Sequence, residues 1–241
     1  MSNPRASQWE RGFRETLDRA GFDLVHPFDL ALYNADASVE HRLHDFGRPH
    51  ARGLLVANTR ALWPPFVRAV RDDAVVRASA DPLECHLERT LHAAVVALPF
   101  AARAYLSHVV TPRPVPIQQI SQRAHFAPLG PCHLCIHPEY GPWFALRAVV
   151  VCDHDAAIAD TTEPPHPCAG CERPCVRALK IALDGGPATR DGVRAGWRRW
   201  AEVRTVCPLG RAHRYDDPQL EYHYTARREI VELKGIEPST S

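Results

Sequence analysis

Four cysteines have the spacing best suited to chemistry in this sequence. Cys168, Cys171 and Cys175 follow one another as C-x2-C-x3-C, and Cys207 stands beside Pro208 further along. Thiolates spaced this way on a turn running into a helix can converge on iron or zinc, and Cys-Pro often ends ferredoxin-type cluster motifs. In the standard run a fourth Cys-Pro follows soon after the third cysteine, whereas Leu179 and Lys180 occupy that place here. Three readings stay open: a [4Fe-4S] cluster on Cys168, Cys171, Cys175 and Cys207, a zinc ion on the same four thiolates, or reduced thiols without metal. Cys132 and Cys135, with His133 and His137 nearby, fit zinc less well. Cys135 reads as a small core residue and Cys132 as a free thiol.

A second kind of chemistry is written into residues 132–151, CHLCIHPEYGPWFALRAVVV. Pro138 biases His137 toward extended geometry, and Gly141-Pro142 forces a turn. Trp143 to Val151 then reads as a strand buried on both faces. An imidazole and three rings, Tyr140, Trp143 and Phe144, are thereby held at a sheet edge, which suits a large flat organic ligand. A hydrogen-bonded structural histidine among core aromatics is the plainer alternative.

The elements that must position these groups follow from periodicity. Ser7 to Ala20 carries Trp9, Phe13 and Leu17 at helical spacing, and short strands are expected over 22–25 and 29–33, interrupted by His26-Pro27. Residues 36–52 read as a polar loop in which His41, His44, Asp45 and His50 match no closed metal site. Core strand 53–57, helix 61–71, a helix opened by Asp81-Pro82, strand 102–110 and helix 115–124 come next. Beyond the polar connection 151–167, helices are expected over 176–183, 191–203 and 218–233. The order predicts mixed α/β or α+β layers rather than a repeating unit, and α+β is the class expected, with residues 1–160 as the core, 161–233 as a Cys-rich helical cap completing the same domain, and 234–241 as a disordered tail.

Composition narrows the class. At 241 residues the chain can bury a real core, and 45% hydrophobic with 24% charged residues is that of a soluble globular protein. Twenty-nine basic and 28 acidic residues leave a net charge of +1, which gives no overall field for nucleic acid or an anionic membrane. No membrane span or signal peptide is legible, so a cytoplasmic location is expected, where eight cysteines mean thiols, metal or redox work rather than a disulfide framework.

The run Cys135-Ile136-His137-Pro138, Tyr140-Gly141, Trp143-Phe144-Ala145-Leu146-Arg147 resembles the central motif of the cobalamin-processing CblC family. Weaker matches lie at 22–34, at Asp81-Pro82 with Cys85, and at 177–185, 197–200 and 215–222. The resemblance implies a flavin-reductase-like (nitroreductase-related) mixed sheet flanked by helices, here with the Cys-rich extension. It implies an enzyme, an oxidoreductase that holds cobalamin with its tail displaced from cobalt and removes the upper axial ligand. Cyanide leaves by reduction through flavin (FMN or FAD), alkyl groups by attack of glutathione or another thiol, and a homodimer is possible in such proteins. Tyr33, His137, Tyr140, Gly141, Trp143, Phe144 and Arg147 are the implied ligand contacts. Arg198 and Arg204 offer either an anion-binding wall or a solvated basic face. Lys180 stands where the family has a thiol-anchoring arginine, keeping the charge but losing the bidentate fork. The thiol set raises the alternative of an iron-sulfur-dependent enzyme like epoxyqueuosine reductase, and a non-catalytic cobalamin carrier is a third reading.

Overall fold

The computed structural model describes residues 7–156 and 164–236. Helix α1 (Gln8–Arg19) buries Phe13 and Leu17, and its cap Ser7 accepts a hydrogen bond from the Glu10 amide at 3.4 Å. Strand β1 (Leu24–Asp29) runs straight through His26-Pro27 and is followed by a helical turn, α2 (Ala31–Asn34). The two strands expected here are therefore one. Pro27 is tolerated because β1 is an edge strand, and the chain turns where Asp29 Oδ1 accepts the Ala31 amide at 2.9 Å.

Strand β2 (Ala51–Asn58) leads to α3 (Trp63–Asp72), α4 (Ala74–Ala78) and α5 (Pro82–Val96), the last capped by Asp81. Strand β3 (Ala102–Leu106) is shorter than expected and gives way to the proline-rich stretch before α6 (Ile117–Arg123). Strand β4 (Ala145–Asp155) is longer than expected. The C-terminal helices are α7 (Pro174–Asp184), α8 (Arg190–Ala195), α9 (Trp197–Thr205), α10 (Asp217–Thr225) and α11 (Arg228–Ile236). Two segments expected as single helices are each divided, one at Gly196, a poor helix former, and one at Ala226, which takes a left-handed φ of 53°. Helix α11 includes 234–236 of the expected tail, whereas 237–241 and the connection 157–163 lie outside the described residues.

The sheet order is β1-β2-β4-β3, and each neighbouring pair is antiparallel. This corrects the expected mixed sheet: the described strands contain no parallel pair. Alternation along β2 and β4 divides the core. Leu54, Val56, Val150 and Cys152 face α1, α3 and α5 through Leu17, Phe66, Leu87 and Leu91. Leu55, Ala57, Val149 and Val151 face the other way, toward Tyr33, Ile120, Phe126 and Phe144. Smaller clusters join Cys132 and Cys175 to Ala178, Ala182 and Val203, and Trp143 to Ala201, Tyr215 and Leu220.

Because Leu55 is 0% exposed between β1 and β4, Leu55→Ala is expected to cost about 3 kcal/mol in urea unfolding through lost transfer and a residual cavity. Val39→Ala, at a position 79% exposed, should leave the midpoint in place. Equal effects of the two substitutions would contradict this account of the core.

Candidate functional site

The His137 loop is closed by two backbone bonds. The His137 amide donates to the Gly141 carbonyl at 2.9 Å, and the Gly141 amide donates to the His137 carbonyl at 2.8 Å. Gly141 takes a φ of 55°, and a Cβ there would collide with the Leu209 carbonyl; a Cβ on Gly210, at φ 68°, would collide with the Tyr140 carbonyl. Two glycines thus let the 207–210 segment lie backbone to backbone on the tip of the loop.

Inside this turn, His137 Nδ1 accepts the Glu139 amide at 3.1 Å and the Tyr140 amide at 3.2 Å. Burial pulls its pKa down to about 4, with His26 and His213 pushing the same way and Glu139 opposing. At neutral pH the ring is uncharged with its proton on Nε2, so it presents a hydrogen-bond donor rather than a free metal ligand. Tyr140 and Phe126 stand against the ring, with centroids at 4.7 and 5.0 Å.

The next residues enter the core. Trp143 and Phe144 are only 1% and 4% exposed, so they shape the region from within rather than forming an open wall. Beneath them lies an unusual concentration of buried polar groups. Arg147 Nε donates to Asn58 Oδ1 at 2.6 Å, while its Nη2 has no partner in the protein. Arg204 donates through Nε to the Tyr224 hydroxyl at 3.2 Å and through Nη1 to the carbonyls of Pro142 and Phe144. Trp143 Nε1 and the Tyr215 hydroxyl are also shielded and unpartnered.

Neither guanidinium is ion-paired with a carboxylate among the described residues. Asp23 acts on Tyr215 from nearby, yet its two oxygens are engaged by the Thr59 amide at 2.8 Å and the Thr59 hydroxyl at 2.6 Å. Burial, reinforced by Arg147 and Arg204, holds His223 neutral, and burial raises Tyr215 to about 12. Unsatisfied donors and unpaired positive charge together make a place that favours an anion.

The other sequence-derived residues fall elsewhere. Tyr33 is buried on the α6 side of the sheet, where its hydroxyl donates to the His41 carbonyl at 3.0 Å. Arg198 is exposed, its guanidinium 4.5 Å over the Trp197 ring. Lys180 lies on the exposed face of α7 and bonds Asp184 at 2.6 Å, so the structure does not bring it to the buried arginines. Cys168, Cys171, Cys175 and Cys207 border one open cavity, but among the described residues no three His, Cys, Asp or Glu side chains are close enough to enclose a single ion.

A feature that sequence reading missed is a cavity of about 700 Å³ at the β3 edge. It is bounded by residues 41–45, 103–106 and 111–116, including Arg42, Arg103, Tyr105 and Arg113. Tyr105 and Val115 pack on the same apolar layer as Phe126 and Phe144, so this cavity and the His137 loop share one side of the sheet. Its walls come from three separated segments; the proline-rich stretch 112–116 was the sole local signal.

This architecture is shared with known proteins. A crystal structure of the C. elegans B12-trafficking protein CblC, a human MMACHC homologue, matches with a TM-score of 0.71 and 19% identity over 97% of both chains. The fold is therefore of the CblC type. No family model matches the chain. Proteins named cyanocobalamin reductase / alkylcobalamin dealkylase are 26% identical to it: the Danio rerio protein over 93% of this chain and 91% of its own length, the Homo sapiens protein over 97% and 83%. The chain is thus similar in sequence, over nearly its whole length, to cyanocobalamin reductase / alkylcobalamin dealkylase proteins and in fold to CblC.

The His137 geometry yields a titration test. Its proton affinity is lower folded than unfolded, so this group costs stability as pH falls from about 6.5 toward 4 and has no further effect below that window. Imidazole ¹⁵N NMR should show the Nε2-protonated tautomer at pH 7 and a midpoint near 4; a midpoint at the ordinary 6.5 would overturn the assignment.

Proposed function

We propose that the chain binds cobalamin in the tail-displaced form and removes its upper axial ligand. The observation that carries this reading is the near full-length similarity to cyanocobalamin reductase / alkylcobalamin dealkylase proteins. The site agrees chemically. A neutral His137 with its proton on Nε2 can donate to a polar group of the ligand, and nothing about it calls for the ring to replace the displaced tail on cobalt. The cavity beside β3 falls within the usual volume range for small-molecule sites, roughly 300–1,000 Å³.

The reactive centre is the substrate's own cobalt, so the protein contributes binding, orientation and electrostatics. In decyanation, cobalt(III) takes one electron, for which a reduced flavin is the donor implied by the resemblance, and cyanide departs with the bonding pair. In dealkylation, a thiolate attacks the alkyl carbon, a C–S bond forms, and the C–Co pair stays on cobalt as cobalt(I). The second reaction needs the thiol substrate held in line.

For that anchor we favour Arg147 and Arg204 over Lys180. Arg147 has an open donor and neither buried arginine has an acidic partner, whereas the exposed Lys180 already has Asp184. A guanidinium also fixes a carboxylate in two dimensions, which an ammonium does not.

Addition of equimolar protein should move the visible bands of cyanocobalamin to shorter wavelength, and a reductant should then release cyanide. An unchanged spectrum refutes the binding reading, and a shifted spectrum without turnover makes the chain a carrier. Within dealkylation, Arg204→Lys should raise the KM for glutathione by about tenfold, the scale of one lost charge-assisted bond, while leaving the cobalamin spectrum in place. Lys180→Ala should change neither. The reverse pattern would return the anchoring role to Lys180.

A further inference from the structure

The thiols left unused by this reading are gathered by tertiary folding. Cys168, Cys171, Cys175 and Cys207 line a cavity of about 420 Å³, which is also bordered by Pro131, Ile136 and Leu209. Cys175 shares a hydrogen bond with Cys132 and feels Cys207 and Cys168; Cys207 in turn feels Cys132 and Cys171. Four segments of chain therefore bring sulfur to one place: the approach to the His137 loop, the 168–171 turn, the start of α7 and the end of α9.

The backbone around these sulfurs is shaped to support negative charge. Gly170 and Arg173 both take left-handed φ values, 71° and 57°, which curl the turn about Cys171. The Arg173 amide donates to Cys171 Sγ at 3.4 Å, and the Leu209 amide donates to Cys207 Sγ. Cys175 lies in the first turn of the eleven-residue α7, where the free amides and helix dipole favour an anion.

Four thiolates on one zinc must each lie about 2.3 Å from the ion, and among the described residues no group of three or more His, Cys, Asp or Glu is placed to hold a single ion. Thiolates that bind different irons of one cluster stand wider apart and leave room between them for inorganic sulfide. A cavity of about 420 Å³ lined by Cys168, Cys171, Cys175 and Cys207 offers that room.

We propose that Cys168, Cys171, Cys175 and Cys207 hold a [4Fe-4S] cluster in this cavity, with Cys132 packed behind Cys175 and not itself a ligand. Each thiol releases its proton to solvent as its Fe–S bond forms. The bound cluster would abut Leu209 and Ile136, and thereby the backbone contact that fixes the His137 loop.

The test uses full-length protein purified anaerobically and treated with ferrous iron, sulfide and a thiol reductant. Iron, zinc and acid-labile sulfide are assayed together with the visible spectrum. The expected result is about four iron and four sulfide per chain, the content of a cubane held by four thiolates. Cys168→Ala and Cys171→Ala, at partly exposed positions, should lose at least half of both while keeping the wild-type circular dichroism. Cys85→Ala and Cys132→Ala should keep the full complement. Stoichiometric zinc without sulfide, a metal-free Cys132–Cys175 disulfide, full iron in Cys168→Ala, or iron loss in Cys132→Ala but not in Cys171→Ala would each overturn the proposal. The cobalamin spectrum of the same samples reads out the other function separately, since a chain can take up cobalamin without iron or iron without cobalamin.

Discussion

Strand β4 is dry on both faces from Ala148 to Cys152, and this constraint governs where the rest of the molecule can place charge. A polar side chain within that run would be buried without water, at a cost of several kcal/mol unless paired. Charge is therefore confined to the ends. At one end Asp153 and Asp155 meet Arg48 at 2.6 and 3.0 Å in a partly exposed pair of bridges. At the other, Arg147 is held by a single bond to Asn58 and keeps an open donor. The two ends thus differ in kind, one closed by carboxylates and the other left electropositive beside the His137 loop.

The second constraint is the contact between Gly141 and Gly210. Any side chain at either position would drive the two backbones apart, and with them the 207–210 segment from the site loop. Arg204 strengthens the same junction from below by bonding the Pro142 and Phe144 carbonyls. One guanidinium thus links α9, the entry to β4 and the Tyr224 hydroxyl on α10, so the polar site and the packing of the C-terminal helices are parts of one structure.

Local patterns in the sequence were readable where a residue's role depends on near neighbours. The Val-rich run gave a central strand, Asp81-Pro82 gave the start of α5, and Gly141-Pro142 gave the rigid turn. Features that depend on distant partners were not readable. Pro27 breaks a strand only when that strand is interior, and the edge position of β1 is a property of the assembled sheet. The cavity at β3 draws Arg42, Arg103 and Arg113 from separate stretches. Trp143 has the type and position of a ligand wall, yet α9 and α10 cover it. Lys180 was placed by likeness of order alone, and its position on the outer side of α7 became visible only with the helix packed.

The electrostatic character of the region follows from these placements. His137 cannot easily become cationic because its Nδ1 is occupied by two amides and its ring is largely enclosed. His223 is held neutral by burial and by the two arginines. Positive charge therefore resides on guanidiniums, which keep it across the physiological pH range, while the imidazoles serve as neutral donors or acceptors. For a reaction at a ligand's own metal this division is useful. Fixed charge can orient an anion, and a histidine whose Nδ1 is taken by two amides offers no free basic nitrogen to a metal.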